Sequence, residues 1–452
     1  MLDVLTTVGP HLASALARFV HDEGLPGAAA AAVVRGSQPW SFAYGVADAG
    51  SRSPLDAETA FRVGSLTKPF TAAGVLALAG DGALDVDDPV VAHLPEFRAV
   101  RPGNGADPSD VRLIDLLTHR GGLPAEASVL DDAAERYPSI ETILGSLDAV
   151  TLATPAGAAV RYSNLGYQLL GEIVSRRAGV SYERWCERRL FGPLRLAWTA
   201  FDPLSAFASG HQLRAFTDHV ELAPARRKRT NADGGLWSTA LDQAAWIEAQ
   251  LEGSIDGLDL RAMHGPTPGS SASGGPGQGV GWFRELRDAR SLVYHQGSTP
   301  GYAARIAFSP RLRGGAVILT NGETRTAAVL GEMLDLVLDG IEGALPSEPA
   351  PAVPPPPTPV AYPAAWDELL GYYVWPRSSM LFRLEVRRGQ LRMADSVDAP
   401  HPITLDPRAD DRFLALDGGW AGETVVVRRD DLGVVRGLRL GPWTLNRLVE
   451  RD

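Results

Sequence analysis

Cysteine and lysine are scarce in this chain of 452 residues. It has one cysteine, Cys186, and 43 basic residues, of which only Lys68 and Lys228 are lysine. A single cysteine cannot form an internal disulfide, so the sequence gives no sign of an oxidising compartment. Because no motif surrounds Cys186, we expect a packed, unreactive thiol.

Positive charge is in deficit overall. The chain has 54 acidic and 43 basic residues, which gives a formal net charge of −11 at pH 7. Without a positive field to collect phosphates or anionic head groups, neither nucleic acid nor a membrane is expected as a partner. The amino terminus lacks a basic region followed by an apolar stretch, and no apolar run is long enough to cross a bilayer. We therefore expect a cytoplasmic protein.

The sequence also lacks the common signatures of metal and cofactor sites. Its nine histidines show no His-Glu-x-x-His spacing, no dinucleotide-type glycine fingerprint follows a strand, and no phosphate-binding loop is present. We therefore expect no metal and no cofactor.

Proline is concentrated in one place, since nine prolines lie between residues 346 and 363. Prolines remove backbone donors and favour extended polyproline II geometry, so this segment is predicted to be a linker. Before it, strand-like runs at residues 29–34, 305–308 and 316–320 alternate with longer helical patterns. Residues 1–345 are therefore predicted to form one large domain of the α/β or α+β class.

The sequence after the linker has the pattern of a β-domain. Phe382, Leu384 and Val386 alternate with charged residues, and Arg388-Gly389 then provides a turn before the next apolar alternation. Two-residue alternation around a glycine turn is typical of β-hairpins. Residues 364–452 are predicted to be a small all-β domain, and we expect a barrel.

One of the two lysines stands in a helical pattern beside a serine. Ser65 and Lys68 are three residues apart, and apolar residues at helical spacing follow them as far as Gly80. At this spacing the two side chains share a helix face, so the hydroxyl and the amine can meet. Where only positive charge is needed this chain uses arginine. A retained lysine therefore indicates a site that needs an amine able to lose its proton, which a guanidinium cannot do. A capping serine followed by a surface lysine is the alternative interpretation.

Two further segments carry polar groups next to predicted elements. Tyr162 and Asn164 precede an amphipathic helical run, where a Tyr162 ionised by nearby cations could be a general base and Asn164 could hold a substrate carbonyl or the lysine. His295 and Gly297 precede a predicted strand, and the small Gly297 lets the backbone approach closely. Taken singly, the first segment is typical of a turn, and the second is typical of a loop that contains a histidine.

Together the three motifs resemble the active site of the serine β-lactamases, penicillin-binding proteins and related esterases. The branch that resembles class C β-lactamases is the most similar. The family's Ser-x-x-Lys, Tyr-x-Asn and Lys-Thr-Gly motifs correspond to residues 65–68, 162–164 and the variant 295–297. The flanking segments 61–64, 116–124 and 234–239 also match. The resemblance implies an antiparallel sheet flanked by helices in the catalytic domain, and it covers about residues 15–340.

The resemblance implies a role for each motif residue. Ser65 would be the acylated nucleophile, Lys68 and Tyr162 would share the proton transfers, and the backbone amides of Ser65 and Ser298 would bind the oxyanion. The third motif departs from the family, because His295 replaces a lysine that attracts the substrate carboxylate. An imidazole is mostly neutral at cytoplasmic pH, so carboxylate-bearing β-lactams are expected to be poor substrates.

The appended β-domain narrows the expected function. It is similar to the lipocalin-like domain of some esterases and D-aminopeptidases, and to that of penicillin-binding-protein-type thioesterases. The resemblance to those thioesterases implies that Ser65 takes a peptidyl group from a thioester, possibly on a peptidyl carrier protein, and that the peptide amino terminus releases it as a macrocycle. A carboxylesterase or D-aminopeptidase-like hydrolase remains an alternative, as does a β-lactam-acylated binder without turnover.

Three further side chains were considered as substrate contacts. Trp237 and Tyr302 are expected to line the cleft, where aromatic rings would favour apolar substrate groups. Arg447 lies on a predicted strand of the β-domain and could reach a substrate carbonyl, although a surface arginine is the alternative. His119, in one of the flanking segments, is expected to be structural.

Overall fold

The structure is a computed structural model that describes residues 3–127, 129, 137–202, 206–213, 220–223, 231–265, 277–355, 360–376, 380–394, 403–417 and 420–448. Two units are distinguished by their internal contacts. The first comprises residues 1–211 and 222–356, and the second comprises residues 212–221 and 357–452.

The helices and strands have the following bounds. The helices are α1 (Val4–Glu23), α2 (Lys68–Gly80), α3 (Leu113–Leu117), α4 (Ile140–Gly145), α5 (Asn164–Ala178), α6 (Tyr182–Cys186), α7 (Gly192–Leu194), α8 (Ala240–Glu252) and α9 (Ala327–Ile341). The strands before the proline-rich segment are β1 (Gly27–Val34), β2 (Trp40–Gly45), β3 (Phe61–Arg62), β4 (His211–Leu213), β5 (Val220–Leu222), β6 (Trp237–Ser238), β7 (Ser254–Ile255), β8 (Leu258–Asp259), β9 (Gly277–Gln278), β10 (Phe283–Arg287), β11 (Arg290–Thr299), β12 (Tyr302–Ser309) and β13 (Gly314–Thr320). The later strands are β14 (Gly371–Trp375), β15 (Met380–Arg387), β16 (Gln390–Ala394), β17 (Ile403–Pro407), β18 (Arg412–Ala415), β19 (Thr424–Arg429), β20 (Val435–Leu440) and β21 (Trp443–Arg447).

The first unit is built on an antiparallel sheet of seven strands in the order β2-β1-β13-β12-β11-β10-β9. Helices α1 and α9 pack on one face of this sheet, and α8 packs on the other. The strand-like runs predicted at residues 29–34, 305–308 and 316–320 lie in β1, β12 and β13. The predicted α+β class of this domain is therefore confirmed.

Strand β1 shows why the sheet needs helices on both faces. Successive side chains of a strand point to opposite faces. Ala28 and Ala30 contact the core under α1 and α9, whereas Ala29 and Ala31 contact the core on the side of α8. Because both faces are buried, β1 is a continuous apolar run without alternating polar residues.

The first part of the proline-rich segment is held on the first unit. The His11 ring donates a hydrogen bond to the carbonyl of Glu348 at 3.0 Å. The hydroxyl of Tyr44, on strand β2, donates to the carbonyl of Pro354. Side chains of the first unit thus donate hydrogen bonds to backbone carbonyls of the proline-rich segment.

The C-terminal strands β14 to β21 form a closed antiparallel barrel in which β21 pairs with β14. Its interior is filled by fully buried apolar side chains, which include Phe382, Val386, Leu391, Leu438 and Leu445. The turn at Arg388-Gly389 has positive φ at both residues, as a tight hairpin requires. The predicted small barrel is confirmed.

Two further expectations concern Cys186 and membrane-spanning helices. Cys186 ends α6 and is fully buried, and burial raises the pKa of its thiol far above the ordinary value. The expected packed thiol is confirmed. Among the helices that the described residues form, none has the length and apolarity needed to cross a bilayer.

Arg447 lies at the end of β21 and makes its hydrogen bonds within the barrel unit. Its guanidinium donates to the carbonyls of Glu368 at 2.7 Å and of Leu370 at 3.0 Å. These two carbonyls belong to the segment that leads into β14. Arg447 therefore fastens the entry of the barrel to its last strand.

We predict that Arg447→Met lowers the free energy of unfolding of the barrel by about 1–2 kcal/mol, because two backbone carbonyls lose charged donors. Chemical denaturation measures this loss. Arg436→Met is the matched control, since it removes only an exposed ion pair with Asp430 and should have a smaller effect. Unchanged stability with weakened substrate binding would instead support the expected substrate contact of Arg447.

Candidate active site

The Ser65 hydroxyl and the Lys68 amine meet at the junction of a 3₁₀ turn and helix α2. Residues Gly64–Thr67 form the 3₁₀ turn, and α2 begins at Lys68 with a proline in its first turn, where no backbone donor is lost. The Thr67 hydroxyl donates to the Gly64 carbonyl at 2.7 Å and fixes the turn. Ser65 remains half-buried while its chain neighbours are buried. The predicted meeting of the hydroxyl and the amine is confirmed, with Ser65 in the 3₁₀ turn and Lys68 at the start of α2.

Two glycines let β11 lie directly against this turn. A Cβ on Gly297 would come within 2.0 Å of the Val63 carbonyl oxygen. Gly64 has φ of +53°, and a Cβ there would lie 2.9 Å from the Ser298 backbone nitrogen. No other residue type fits at either place without moving a backbone. The glycines therefore bring the backbone of Ser298 next to the turn that carries Ser65.

The Lys68 side chain is fully buried, and its amine contacts a hydroxyl, an amide oxygen and a backbone carbonyl. Its Nζ lies 3.0 Å from Ser65 Oγ, 2.6 Å from Asn164 Oδ1 and 2.6 Å from the carbonyl oxygen of Asp233. It also lies 4.8 Å from the centroid of the Tyr162 ring. The amine thus joins the turn before α2, the start of α5 and the segment that precedes β6.

These neighbours suit an amine that removes a proton from Ser65. The oxygens of Asn164 and Asp233 are carbonyl oxygens that can only accept, so they take both N–H bonds of an uncharged amine. The lone pair is then left for the Ser65 hydroxyl, which donates to it. In the charged form, the third N–H donates to Ser65 Oγ instead. One set of contacts therefore holds Lys68 in both protonation states.

Asn164 is fixed in this orientation by the loop that follows α3. Its Nδ2 donates to the carboxylate of Glu126, which can only accept, so its Oδ1 must face Lys68. Its backbone N–H donates to the Ala125 carbonyl at 2.8 Å. Of the two uses considered for Asn164, the structure has it hold the lysine.

His119 anchors the same motif through its ring. Its Nδ1 accepts a hydrogen bond from the backbone N–H of Ser163 at 3.1 Å, and its ring centroid lies 4.4 Å from that of Tyr162. Burial, reinforced by the positive charge of Lys68, holds the pKa of His119 well below its ordinary value. The imidazole is therefore uncharged and packs against the Tyr162 ring, as expected for a structural residue.

The Tyr162 hydroxyl reaches the Ser65 side chain. Its side chain is 37% exposed, but the phenolic end makes a hydrogen bond with the Ser65 side chain. Burial of that end, helped by the negative charges of Asp233 and Glu126, raises the pKa of Tyr162, and the hydrogen bond with Ser65 only partly offsets the rise. The expectation that nearby cations ionise Tyr162 is therefore wrong for the free protein, in which the phenol keeps its proton.

His295 lies under Tyr162 among aromatic rings. Its ring centroid is 5.2 Å from that of Phe283 and 6.4 Å from that of Tyr162, and only 1% of the residue is exposed. Burial, together with the positive charge of Lys68, lowers the pKa of His295 to about 3. Its Nδ1 donates to the Gln296 carbonyl at 2.7 Å. The third motif therefore carries no positive charge near neutral pH.

A cavity of about 340 Å³ opens above Ser65. Three acidic residues line it, namely Glu126, Asp233 and Glu323, and no lysine or arginine does so among the residues that the structure describes. Gly64 and the end of β11, residues 298–300, form the side next to the nucleophile. The described lining of this cavity is therefore acidic.

Trp237 and Tyr302 do not belong to the described lining of this cavity. They pack edge to face with ring centroids 5.8 Å apart, and the Tyr302 hydroxyl donates to the Ala208 carbonyl at 2.8 Å. Arg62 lies over the Trp237 ring. Both aromatic residues are thus packed against their neighbours, and their expected contact with substrate stays a prediction.

Sequence reasoning missed the three acidic residues that line the cavity. Glu126 follows the matched flanking segment by two residues, and Asp233 directly precedes another. Glu323 follows the turn after β13, and its carboxylate accepts from the Gly301 N–H at 2.9 Å. Proximity to the flanking segments was the only available signal for the first two, and no signal pointed to Glu323.

Two family models match this chain. One, described as Beta-lactamase, matches residues 12–338. The other, described as a domain of unknown function (DUF7586), matches residues 362–447.

Curated relatives are similar at low identity. Protein flp of Staphylococcus aureus is 25% identical over 318 residues, which are 69% of this chain and 62% of flp. Beta-lactamase-like protein 2 of Dictyostelium discoideum is 28% identical over 251 residues, which are 54% of this chain and 45% of that protein. The chain therefore spans less than two thirds of the length of these relatives.

Solved structures show the same fold. An octameric penicillin-binding protein homologue from Pyrococcus abyssi superimposes with a TM-score of 0.63 at 23% identity, over 96% of this chain and 98% of that one. SurE superimposes with a TM-score of 0.61 at 23% identity, over 99% of this chain and 100% of its own. A class C β-lactamase gives 0.62 at 22% identity, over 76% of this chain and 97% of that one.

We predict that Gly64→Ala slows acylation of Ser65 at least ten-fold, because the added Cβ would force the turn away from Ser298 at a positive φ. The rate of labelling by an activated fluorophosphonate measures acylation. Gly80→Ala is the matched control, since a Cβ there would meet nothing within 4 Å. Equal rates for the two variants would show that the close approach of β11 does not matter for the nucleophile.

The lowered pKa of His295 predicts a dependence of stability on pH. Between about 3 and the ordinary value of 6.5, the unfolded chain binds a proton at His295 that the folded chain does not. The free energy of unfolding therefore falls as pH drops through this range. His295→Gln should lose about 2 kcal/mol less stability than the parent protein between pH 7 and pH 5. An equal loss, measured by urea unfolding at both pH values, would mean that His295 is charged in the folded state.

Proposed function

Since the chain belongs to the β-lactamase family, whose members are serine hydrolases, we propose that it forms an acyl-enzyme on Ser65 and passes the acyl group to an amine. The proposed acyl donor is a peptidyl thioester, and the proposed partner that presents it is a peptidyl carrier protein. The proposed acceptor is the amino terminus of the same peptide, so the product is a macrocycle. The contact set of the Lys68 amine is the observation that carries this proposal.

The proposed acylation step starts from the uncharged amine. Lys68 takes the proton of the Ser65 hydroxyl, whose Oγ lies 3.0 Å from its Nζ. Ser65 Oγ attacks the thioester carbonyl, and the backbone amides of Ser65 and Ser298 stabilise the oxyanion. The C–S bond then breaks, and the thiolate receives a proton from Tyr162 or from the Lys68 ammonium.

The second step reverses these proton movements. The peptide amine attacks the acyl-enzyme carbonyl, and the C–O bond to Ser65 breaks as the new C–N bond forms. The attacking nitrogen gives up one proton, which Lys68 or Tyr162 returns to Ser65 Oγ. The phenol of Tyr162 is suited to this relay because it keeps its proton in the free protein and is hydrogen-bonded to Ser65.

The charges around the site support an acyl donor without a free carboxylate. The uncharged His295 offers no anion anchor, and Glu126 and Glu323 line the cavity. A substrate carboxylate would be repelled there, whereas a cationic amine would be attracted and would lose one proton to solvent before it attacks as the neutral amine. Esters and thioesters need no anchor of this kind. This charge pattern favours an amine acceptor over β-lactam hydrolysis.

The deciding experiment weighs the product formed from a peptidyl thioester mimic. We expect release of the thiol and a product lighter than the linear acid by one water, because the peptide amine displaces Ser65. Mass spectrometry of the product and of the protein measures both steps. Ser65→Ala is the control and should release no thiol.

Other outcomes identify the alternatives. A product consisting only of the linear acid would reject cyclisation and leave a hydrolase of the carboxylesterase or D-aminopeptidase type. A stoichiometric Ser65 adduct that never turns over would identify a binder that reacts once.

A further inference from the structure

Thr71 is a fully buried polar residue one turn after Lys68 on helix α2. Its spacing of three residues from Lys68 places both side chains on one face of the helix. A threonine inside a helix commonly directs its hydroxyl to solvent or to a carbonyl of the same helix. The Thr71 hydroxyl instead donates to the carbonyl of Ala232 at 2.6 Å. This hydroxyl therefore joins two parts of the chain that are distant in sequence.

Tyr182 fixes the direction of this hydrogen bond. Its hydroxyl lies 2.7 Å from that of Thr71. Burial raises the pKa of Tyr182 well above its ordinary value, so the phenol keeps its proton. The single proton of the Thr71 hydroxyl is used on the Ala232 carbonyl, so Thr71 accepts the proton of the phenol. The Thr71 hydroxyl is thus held in one orientation.

The segment that Thr71 binds continues directly into the active site. Its next residue is Asp233, whose carbonyl oxygen lies 2.6 Å from the Lys68 amine. Beyond it, the Leu236 N–H donates to the Thr67 hydroxyl at 3.2 Å. One threonine on each side of Lys68 therefore binds the segment on each side of Asp233.

Helix α6 supports the same arrangement. Tyr182 is its first residue, and the next residue, Glu183, accepts from Asn231 Nδ2 at 2.8 Å. Asn231 directly precedes Ala232. Helix α6 therefore contacts both Thr71 and the segment that Thr71 binds.

Burial makes the Thr71 hydroxyl hard to replace. Thr71, Tyr182, Ala232 and Asp233 are each at most 4% exposed. A buried carbonyl that loses its donor is costly, and water has little access to take the place of the hydroxyl here. Without the hydroxyl, we expect Ala232 to move, and the Asp233 carbonyl to move with it.

We propose that Thr71 is a positioning residue of the reaction, which holds the Asp233 carbonyl on the Lys68 amine and thereby keeps that amine on the Ser65 hydroxyl. Thr71 does not belong to the described lining of the cavity above Ser65, so it acts through the backbone of residues 232–233. This rests on the first step of the proposed function, in which Lys68 removes the proton of Ser65.

The first test compares two substitutions of Thr71 in acylation by p-nitrophenyl acetate. Thr71→Val keeps the shape of the side chain and removes the hydroxyl. The rate constant of Ser65 acylation should fall about ten-fold, because the amine no longer faces the hydroxyl of Ser65, while the half-saturating ester concentration stays unchanged. Thr71→Ser keeps the hydroxyl but loses a buried methyl group, so it should lower stability and still acylate nearly as fast as the parent protein. The burst of p-nitrophenol, corrected with Ser65→Ala, measures the rate constant.

Thr59→Val is the matched control for the loss of a buried hydroxyl. Thr59 is 5% exposed, and its hydroxyl makes two hydrogen bonds with Asp56. It should lower stability and leave the acylation rate constant as in the parent protein. If all three variants slow acylation in proportion to their loss of stability, the role of Thr71 is only structural and the proposal is wrong.

The scarcity of lysine allows a second test that needs no activity. Lysine labelled with ¹⁵N at Nζ gives two side-chain amine signals, because the chain has only two lysines. Lys228→Met removes one signal and so identifies that of Lys68. We expect Thr71→Val to shift the Lys68 signal, because the hydrogen bonding of the amine changes, and Thr71→Ser to leave it in place. An unshifted signal in Thr71→Val would overturn the proposal.

The outcomes separate this inference from the proposed function. If the ester acylates Ser65 equally fast in the parent protein and in Thr71→Val, Thr71 is not a positioning residue, and the proposed function is unaffected. If the ester does not acylate Ser65 of the parent protein, the proposed function fails, and the Lys68 signal alone decides whether Thr71 positions the amine.

Discussion

The contacts of one buried amine hold the active site together. Lys68 belongs to the start of α2, and its acceptors Asn164 and Asp233 come from the start of α5 and from the segment before β6. Three distant parts of the chain must therefore fold before the amine has its partners. The Ser65 hydroxyl, the Asn164 amide oxygen and the Tyr162 ring all lie around this nitrogen.

Much of this arrangement was predictable from local pattern. The spacing of Ser65 and Lys68 predicts that the hydroxyl and the amine meet, and the two-residue alternation around Phe382 fixes a strand with one buried side. Such patterns depend on a few neighbouring residues, so contacts with distant parts of the chain affect them little. The three motifs in their order along the chain resemble those of the family, and this resemblance predicted the antiparallel sheet and its flanking helices.

The rest depends on contacts between residues far apart in sequence. The carbonyl of Asp233 binds Lys68 through the backbone, and a backbone group has no signature in the residue type. Glu126 meets Asn164 only because the loop after α3 folds back on α5. The protonation of Tyr162 was predicted wrongly because a motif shows the nearby charges but not the desolvation of the phenol. The contacts of Trp237 and Tyr302 with Arg62 and Ala208 were likewise not visible in the sequence.

The paired glycines at the nucleophile also bear on how this architecture can diversify. Strand β11 passes the turn that carries Ser65. Because Gly64 and Gly297 have no side chains, the two backbones are in direct contact there, and their spacing does not depend on any side chain. Substitutions of the surrounding side chains can therefore leave the distance between β11 and this turn unchanged. The approach of β11 to Ser65 is in this way set by main chain alone, and the side chains around it are free to vary.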